Sequence, residues 1–291
     1  MKDPFWDRVR NACKWLAANS AEHTVFSERV LPRLQVAVDE DFATWKSQAI
    51  GDECPALVMS VIRHLDRGKD PSILLAAIEK ALAFYSPNNN ELRQIAPMLA
   101  SMNQSHHIIL QCLVAAQALA ELGPGRVEPP TGDRPDLIIR PQERDVFLEV
   151  TSHNISRDDR RGIASGRLPA SGVDPFGGDT FREIESRIRQ KADQYGSDIP
   201  VVLVLDEFDI VDDLLLVLED KSFQDLLKHH GTDCTPLSAL AFLPYHEPPE
   251  VIFLPPELSR GLELTAAEQY LISKVFSQNA LSQYGLWPEN G

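Results

Sequence analysis

Long apolar runs are missing from this 291-residue chain. Nowhere do about 18 apolar residues follow one another, so no membrane-spanning helix is expected. The opening MKDPFWDRVR has neither an apolar core nor a cleavage pattern, which leaves a secretory signal unsupported and makes the cytoplasm the expected compartment. Cysteine is scarce. Its four residues, Cys13, Cys54, Cys112 and Cys234, lie far apart, with no CxxC pair and no histidine at zinc-finger spacing. This excludes a disulfide framework and a structural zinc site, and predicts buried, reduced thiols. A Gly-rich phosphate loop, GxSxG and HExxH are absent too, so nucleotide, serine-hydrolase and zinc-protease chemistries have no basis. Positive charge is in short supply, with 28 Lys and Arg against 43 Asp and Glu and a net charge of −15. Such a balance argues against a protein that coats nucleic acid unspecifically, because that mode rests on many contacts from Lys and Arg to phosphate.

The deficit is unevenly spread. Residues 134–193 hold 11 basic and 11 acidic side chains, leaving 17 against 32 elsewhere, so an anionic ligand would be met by the neutral central stretch. Before it, PFWDRVRNACKWLAA, ERVLPRLQVAV, CPALVMSVIRHL and PSILLAAIEKALAFY repeat apolar residues at helical spacing between breakers, which predicts an all-α N-terminal region over residues 1–100. A nearly all-apolar helix, HHIILQCLVAAQALAELG, should follow, ending at Gly123. Then come the strand-like pieces RVEPP, DLIIR and VFLEVT, a long loop, and the helix FREIESRIRQKADQYG. The strand IPVVLVLD, the helix DDLLLVLEDKSFQDLLKHH, the strands LSALAFL and EVIFL, and a closing helix in TAAEQYLISKVFSQNAL complete the chain. Residues 101–291 are therefore expected to form an α/β domain whose mixed central sheet is flanked by helices.

Two acids interrupt the apolar strands of PDLIIRPQERDVFLEVTSHN. If Pro141 to Arg144 form a four-residue hairpin loop, Arg140 faces Asp145, Ile139 faces Val146, Ile138 faces Phe147, Leu137 faces Leu148, and Asp136 faces Glu149. The two carboxylates then share one face with Cβ atoms about 4.5–5.5 Å apart. They repel unless one takes a proton or a cation lies between them. A hard divalent cation such as Mg²⁺, held by one or two carboxylates plus water and phosphate oxygens, suits the place. A strand-ending Asp136 and a Glu149 paired with an arginine is the plainer alternative, since a one-residue slip would separate the acids.

With these residues in view, the chain resembles the PD-(D/E)XK nuclease superfamily, the restriction-endonuclease-like fold. The resemblance covers residues 104–206. It consists of the buried helix ending in AELG, the strand RVE, Pro135-Asp136, the second acid in Phe147-Leu148-Glu149-Val150-Thr151, and an amphipathic helix with Lys191 and Gln194 before VVLVLD. It implies an α-β-β-β-α-β core, and a divalent metal, Mg²⁺ or Mn²⁺, held by Asp136, Glu149 and the main-chain carbonyl of Val150. Such a metal polarises the scissile phosphate and lowers the pKa of a bound water. Where the family has its lysine, two residues after the second acid, this chain has Thr151. Some members are similar in carrying that lysine on the following helix, and here Lys191 borders its sheet-facing stripe of Phe181, Ile184, Ile188, Ala192 and Tyr195. Lys191 is the expected catalytic lysine, Gln194 a water-positioning neighbour, and Arg187 shares their polar row.

The remaining expectations are secondary. The loop from 152 to 179 carries Arg157, Arg160, Arg161 and Arg167 among glycines, a composition suited to contacting a phosphate backbone, though Asp158 and Asp159 cancel part of its charge. Glu128 is a weaker third acid, His153 a weaker base, and the Asp206 to Asp213 stretch a place where a second cation would fit if its aspartates did not simply cap a helix. The resulting expectation is a nuclease cutting DNA in preference to RNA. The alternative is a nuclease-like fold without catalysis, serving as a binding or regulatory subunit. The acidic N-terminal helices would then meet a protein partner or a second copy sooner than nucleic acid.

Overall fold

The computed structural model describes residues 4–35, 43, 47, 54–87, 89–101, 106–129, 135–152, 199–207, 237–244, 249–254, 262–277, 281 and 284. These fall into two compact units. One holds the described residues through Ala116 with Leu281 and Tyr284, and the other those from Gln117 to Ser277. Within the described residues the fold is α/β, with eight α-helices and one six-stranded mixed sheet.

The first unit is helical: α1 (Pro4–Asn19), α2 (Thr24–Arg29), α3 (Leu31–Gln35), α4 (Ala56–Asp66), α5 (Ser72–Tyr85), α6 (Asn89–Leu99) and the start of α7 (His106–Glu121). Helix α1 packs on α3 and α4, while α2 packs on α5 and α6. The expected single helix over ERVLPRLQVAV is instead split at Val30, because Pro32 has no N–H to continue the α2 ladder and sits in the first turn of α3. Gly68 ends α4 at φ +67°, a left-handed position that a side chain disfavours. Asp70 then starts α5 by accepting from the N–H and the hydroxyl of Ser72, at 3.0 and 2.7 Å. From the neighbouring helix, the Glu79 carboxylate takes the N–H groups of Val25 and Phe26 at 3.0 and 2.8 Å, capping α2 across the helix interface. Helix α7 stops at Glu121, and Gly123 carries the turn with φ +83° and ψ +159°.

In the second unit the strands are β1 (Val127–Glu128), β2 (Leu137–Ile139), β3 (Val146–Ser152), β4 (Val201–Glu207), β5 (Leu237–Pro244) and β6 (Glu250–Phe253). They lie in sequence order across the sheet. The pairs β1–β2, β2–β3 and β5–β6 are antiparallel, and β3–β4 and β4–β5 are parallel. Val146 to Val150, Val201 to Leu205 and Ala239 to Leu243 are buried on both faces, which is why these central strands read as apolar runs, interrupted in β3 only by Glu149. Helix α8 (Ala266–Val275) closes the unit behind a capping box, in which Thr265 Oγ1 accepts from the Glu268 N–H and the Glu268 carboxylate accepts from the Thr265 N–H. No helix of the described residues is long and apolar enough to cross a membrane.

Candidate metal site on strand β3

The hairpin has the register expected from its turn length. Leu137 pairs with Leu148, Ile138 with Phe147 and Ile139 with Val146. Arg140 Nε donates to Asp145 Oδ1 at 2.8 Å at the turn end. Continued one step past the last paired residues at the other end, the same register would bring Asp136 opposite Glu149. Phe147 donates its N–H to the Pro200 carbonyl on the β4 side. By alternation the Glu149 N–H also turns toward β4, so a pairing of Asp136 with Glu149 would be of the non-hydrogen-bonded kind, in which opposing side chains come closest.

The next residue shows how Asp136 is held. The Val150 N–H turns toward β2, where Pro135 precedes the last paired residues, and donates to Asp136 Oδ2 at 2.7 Å. A carboxylate thus stands where a backbone carbonyl would continue the ladder. The Val150 carbonyl points to the same side of the strand as its N–H.

Glu149 is 3% exposed although it carries a carboxylate. On its face, Ile138, Phe147 and Val201 form an apolar cluster with Ile199 and Leu237 packed against it, and Leu203 is its direct neighbour on β4. A carboxylate buried in such surroundings costs free energy unless it is paired or hydrogen-bonded. Thr151 follows on the same face, two residues and about 6.6 Å along, and is also buried, beside Leu205. The threonine thus occupies the place that a lysine holds in the family the sequence resembles.

These residues fit a hard divalent cation in kind: two carboxylates and one main-chain carbonyl, all oxygen donors, few enough to leave room for water and phosphate. Among the described residues no group of three or more His, Cys, Asp or Glu side chains could hold a metal, so a cation here would depend on that mixed set.

Of the other sequence-derived candidates, Lys191, Gln194, Arg157, Arg160, Arg161, Arg167, Arg187 and His153 lie outside the described residues. Glu128 is on the face of Glu149 but at the sheet edge, where it pairs with Arg140 at 3.3 Å with its side chain half exposed. It serves the arginine and is not gathered with the two acids. Glu121 accepts from Gln117 Nε2 at 3.1 Å at the end of α7. Asp206 and Glu207 end β4, with Asp206 in register with Ser152, and the rest of that acidic stretch is outside the described residues.

Sequence reading missed the support of the hairpin turn. Arg144 makes a two-pronged ion pair with Glu268, Nε to Oε1 and Nη2 to Oε2, both at 2.8 Å. Its Nη2 also donates to the Glu263 carbonyl. Burial works to raise the Glu268 carboxyl, but hydrogen bonds from Arg144 and Thr265 outweigh it and hold the group below the usual carboxylate range. The Thr265-x-x-Glu268 capping signature was the available signal. Comparison with protein-family models, with curated proteins and with solved structures finds no match to this chain.

Proposed function

We propose that this protein is a divalent-metal-dependent nuclease of the PD-(D/E)XK kind, with a restriction-endonuclease-like core, hydrolysing phosphodiester bonds in DNA in preference to RNA. The observation that carries the reading is the β2–β3 register, which, continued one step past Leu137 and Leu148, would bring Asp136 opposite the buried Glu149. A carboxylate pair that costs stability is retained on physical grounds when a ligand offsets it. Asp136, Glu149 and the Val150 carbonyl would hold Mg²⁺ or Mn²⁺, and the metal would supply Lewis-acid polarisation of a phosphate and a water of lowered pKa. Asp136, whose Oδ2 accepts the Val150 N–H, would present its carboxylate to that ion. In this reading Lys191 offsets charge in place of the motif lysine, Gln194 positions water, and Arg157, Arg160, Arg161 and Arg187 contact the nucleic-acid backbone. The acidic N-terminal helices would serve a protein partner or a second copy.

A second reading is favoured by one observation. Thr151 is buried in the lysine's place, which suits a nuclease-like fold that has lost catalysis and binds a partner. Calorimetric titration of Mn²⁺ into the wild type, Asp136→Asn and Glu149→Gln, followed by cleavage assays on DNA and RNA, separates the two. Saturable binding lost in both variants, together with metal-dependent cleavage, is the expected result. Binding without cleavage of any substrate moves the assignment to the second reading, and absence of binding even with DNA present overturns the first.

A further inference from the structure

All three residues of β2 are buried aliphatics, Leu137, Ile138 and Ile139, and the strand is covered on both faces. Sliding β2 by one residue would exchange leucine and isoleucine between faces and leave the apolar burial nearly unchanged. The hydrophobic pattern therefore cannot choose the register, which normally it does when only one face is buried. Yet one step of slip carries Asp136 to the face away from Glu149. Something polar has to select the pairing.

Two ion pairs flank the turn. Arg140–Asp145 is short, but both side chains are more than a third exposed, so water screens it. Arg144–Glu268 differs in kind: Glu268 is 2% exposed, meets the guanidinium with both oxygens, and is itself fixed in the first turn of α8 by the capping box. Thr265 also reaches Gln142 at 3.4 Å, and Arg126 donates to the Pro141 carbonyl at 3.1 Å. Three of the four turn residues are thus tied down from outside the hairpin. Because a hairpin's register follows from the length and shape of its turn, holding the turn holds the pairing.

We infer that Arg144 and Glu268 are positioning residues: their two-pronged ion pair, buried on the Glu268 side, clamps the β2–β3 turn and so fixes the register that would align Asp136 with Glu149. The link to metal binding rests on the function proposed above. The link to register does not.

The test uses the full chain with Arg144→Met, Glu268→Gln and, as a control, Arg8→Met, which breaks the exposed Arg8–Asp66 pair of the other unit. Amide exchange is read at Val146, Leu148 and Val150, whose N–H groups turn toward β2, and along β4 and β5, with Mn²⁺ affinity measured in parallel. The two clamp variants should lose protection at the three hairpin amides by about tenfold more than in β4 and β5. Their Mn²⁺ affinity should fall by about 10- to 100-fold, as when a group that orients a ligand is removed. Arg8→Met should show neither effect. Equal loss across the whole sheet, or unchanged hairpin protection, overturns the clamp. If the wild type binds no Mn²⁺, the metal reading fails while the exchange pattern still decides the clamp. Should Arg144→Met fail to fold, Arg144→Lys keeps the charge, cannot reproduce the two-pronged geometry, and is read in the same way.

Discussion

Replacing Asp136 with asparagine and with alanine separates what its charge does from what its hydrogen bond does. Both substitutions remove the carboxylate, so relief of repulsion with Glu149 is common to the two and cancels in their comparison. Asparagine keeps a side-chain oxygen within reach of the Val150 N–H, now 2.7 Å from Oδ2, and alanine does not. Val150 is 5% exposed, so in the alanine variant its N–H loses its acceptor in a poorly hydrated place. An unsatisfied buried donor costs about 1–3 kcal/mol. At 1.4 kcal/mol per factor of ten, the Val150 amide should exchange about 10- to 100-fold faster in Asp136→Ala than in Asp136→Asn. Hydrogen exchange followed residue by residue reads this directly, with the β5 amides as an internal standard. Metal affinity should be lost in both variants. Equal exchange of Val150 in the two would show that the carboxylate does not stand in for the missing ladder carbonyl, and the argument that anchors Asp136 beside the Val150 carbonyl would fall.

Three further outcomes are expected. Glu268 has a folded-state pKa below its ordinary value of 4.5, so its contribution to stability is complete above that pH and is lost as the pH falls through the lower folded value. The gap in thermal stability between wild type and Glu268→Gln should therefore be constant from pH 7 to about pH 5 and shrink as the pH falls below 4.5; a gap that widens on acidification would contradict the assignment. Gly123, at φ +83° and ψ +159°, occupies a region open almost only to glycine, although an added Cβ would meet nothing within 4 Å. Gly123→Ala should cost about 1–3 kcal/mol in a denaturant titration through backbone strain alone, and a neutral result would mean that the turn relaxes freely. Burial pushes the thiols of Cys13, Cys54 and Cys112 up to about 12, so at pH 8 alkylation of these three, followed by mass spectrometry, should proceed only as fast as the protein opens.

The strands were legible because each central one is a short, mostly apolar run bounded by turn residues, and no helix-length pattern competes with VFLEV, VVLVL or LSALAFL. The hairpin register was legible for a different reason. A four-residue turn between Arg140 and Asp145 admits one pairing that also makes an ion pair, and that pairing is present. Other features were not readable in this way. The split of α2 from α3 turned on Pro32, whose missing N–H outweighed an otherwise continuous helical stripe. The partnership of Arg144 with Glu268 spans 124 residues. Local spacing can announce a capping box at Thr265 and Glu268, but cannot announce that the same carboxylate will also receive a guanidinium from a distant turn.

Glu149 draws these strands of argument together because it breaks the rule that its neighbours obey. Leu148 and Val150, buried on the other face of β3, are what a doubly covered strand needs; a carboxylate between them is not. A carboxylate at this position is tolerated only where it is paired or hydrogen-bonded, a demand that leucine would not make. If the proposed cation binds here, the hairpin register and the ion pair inferred to clamp it would serve one end, since a single residue of slip would carry Asp136 to the other face. The hairpin turn would then be as much a part of the site as the acids themselves.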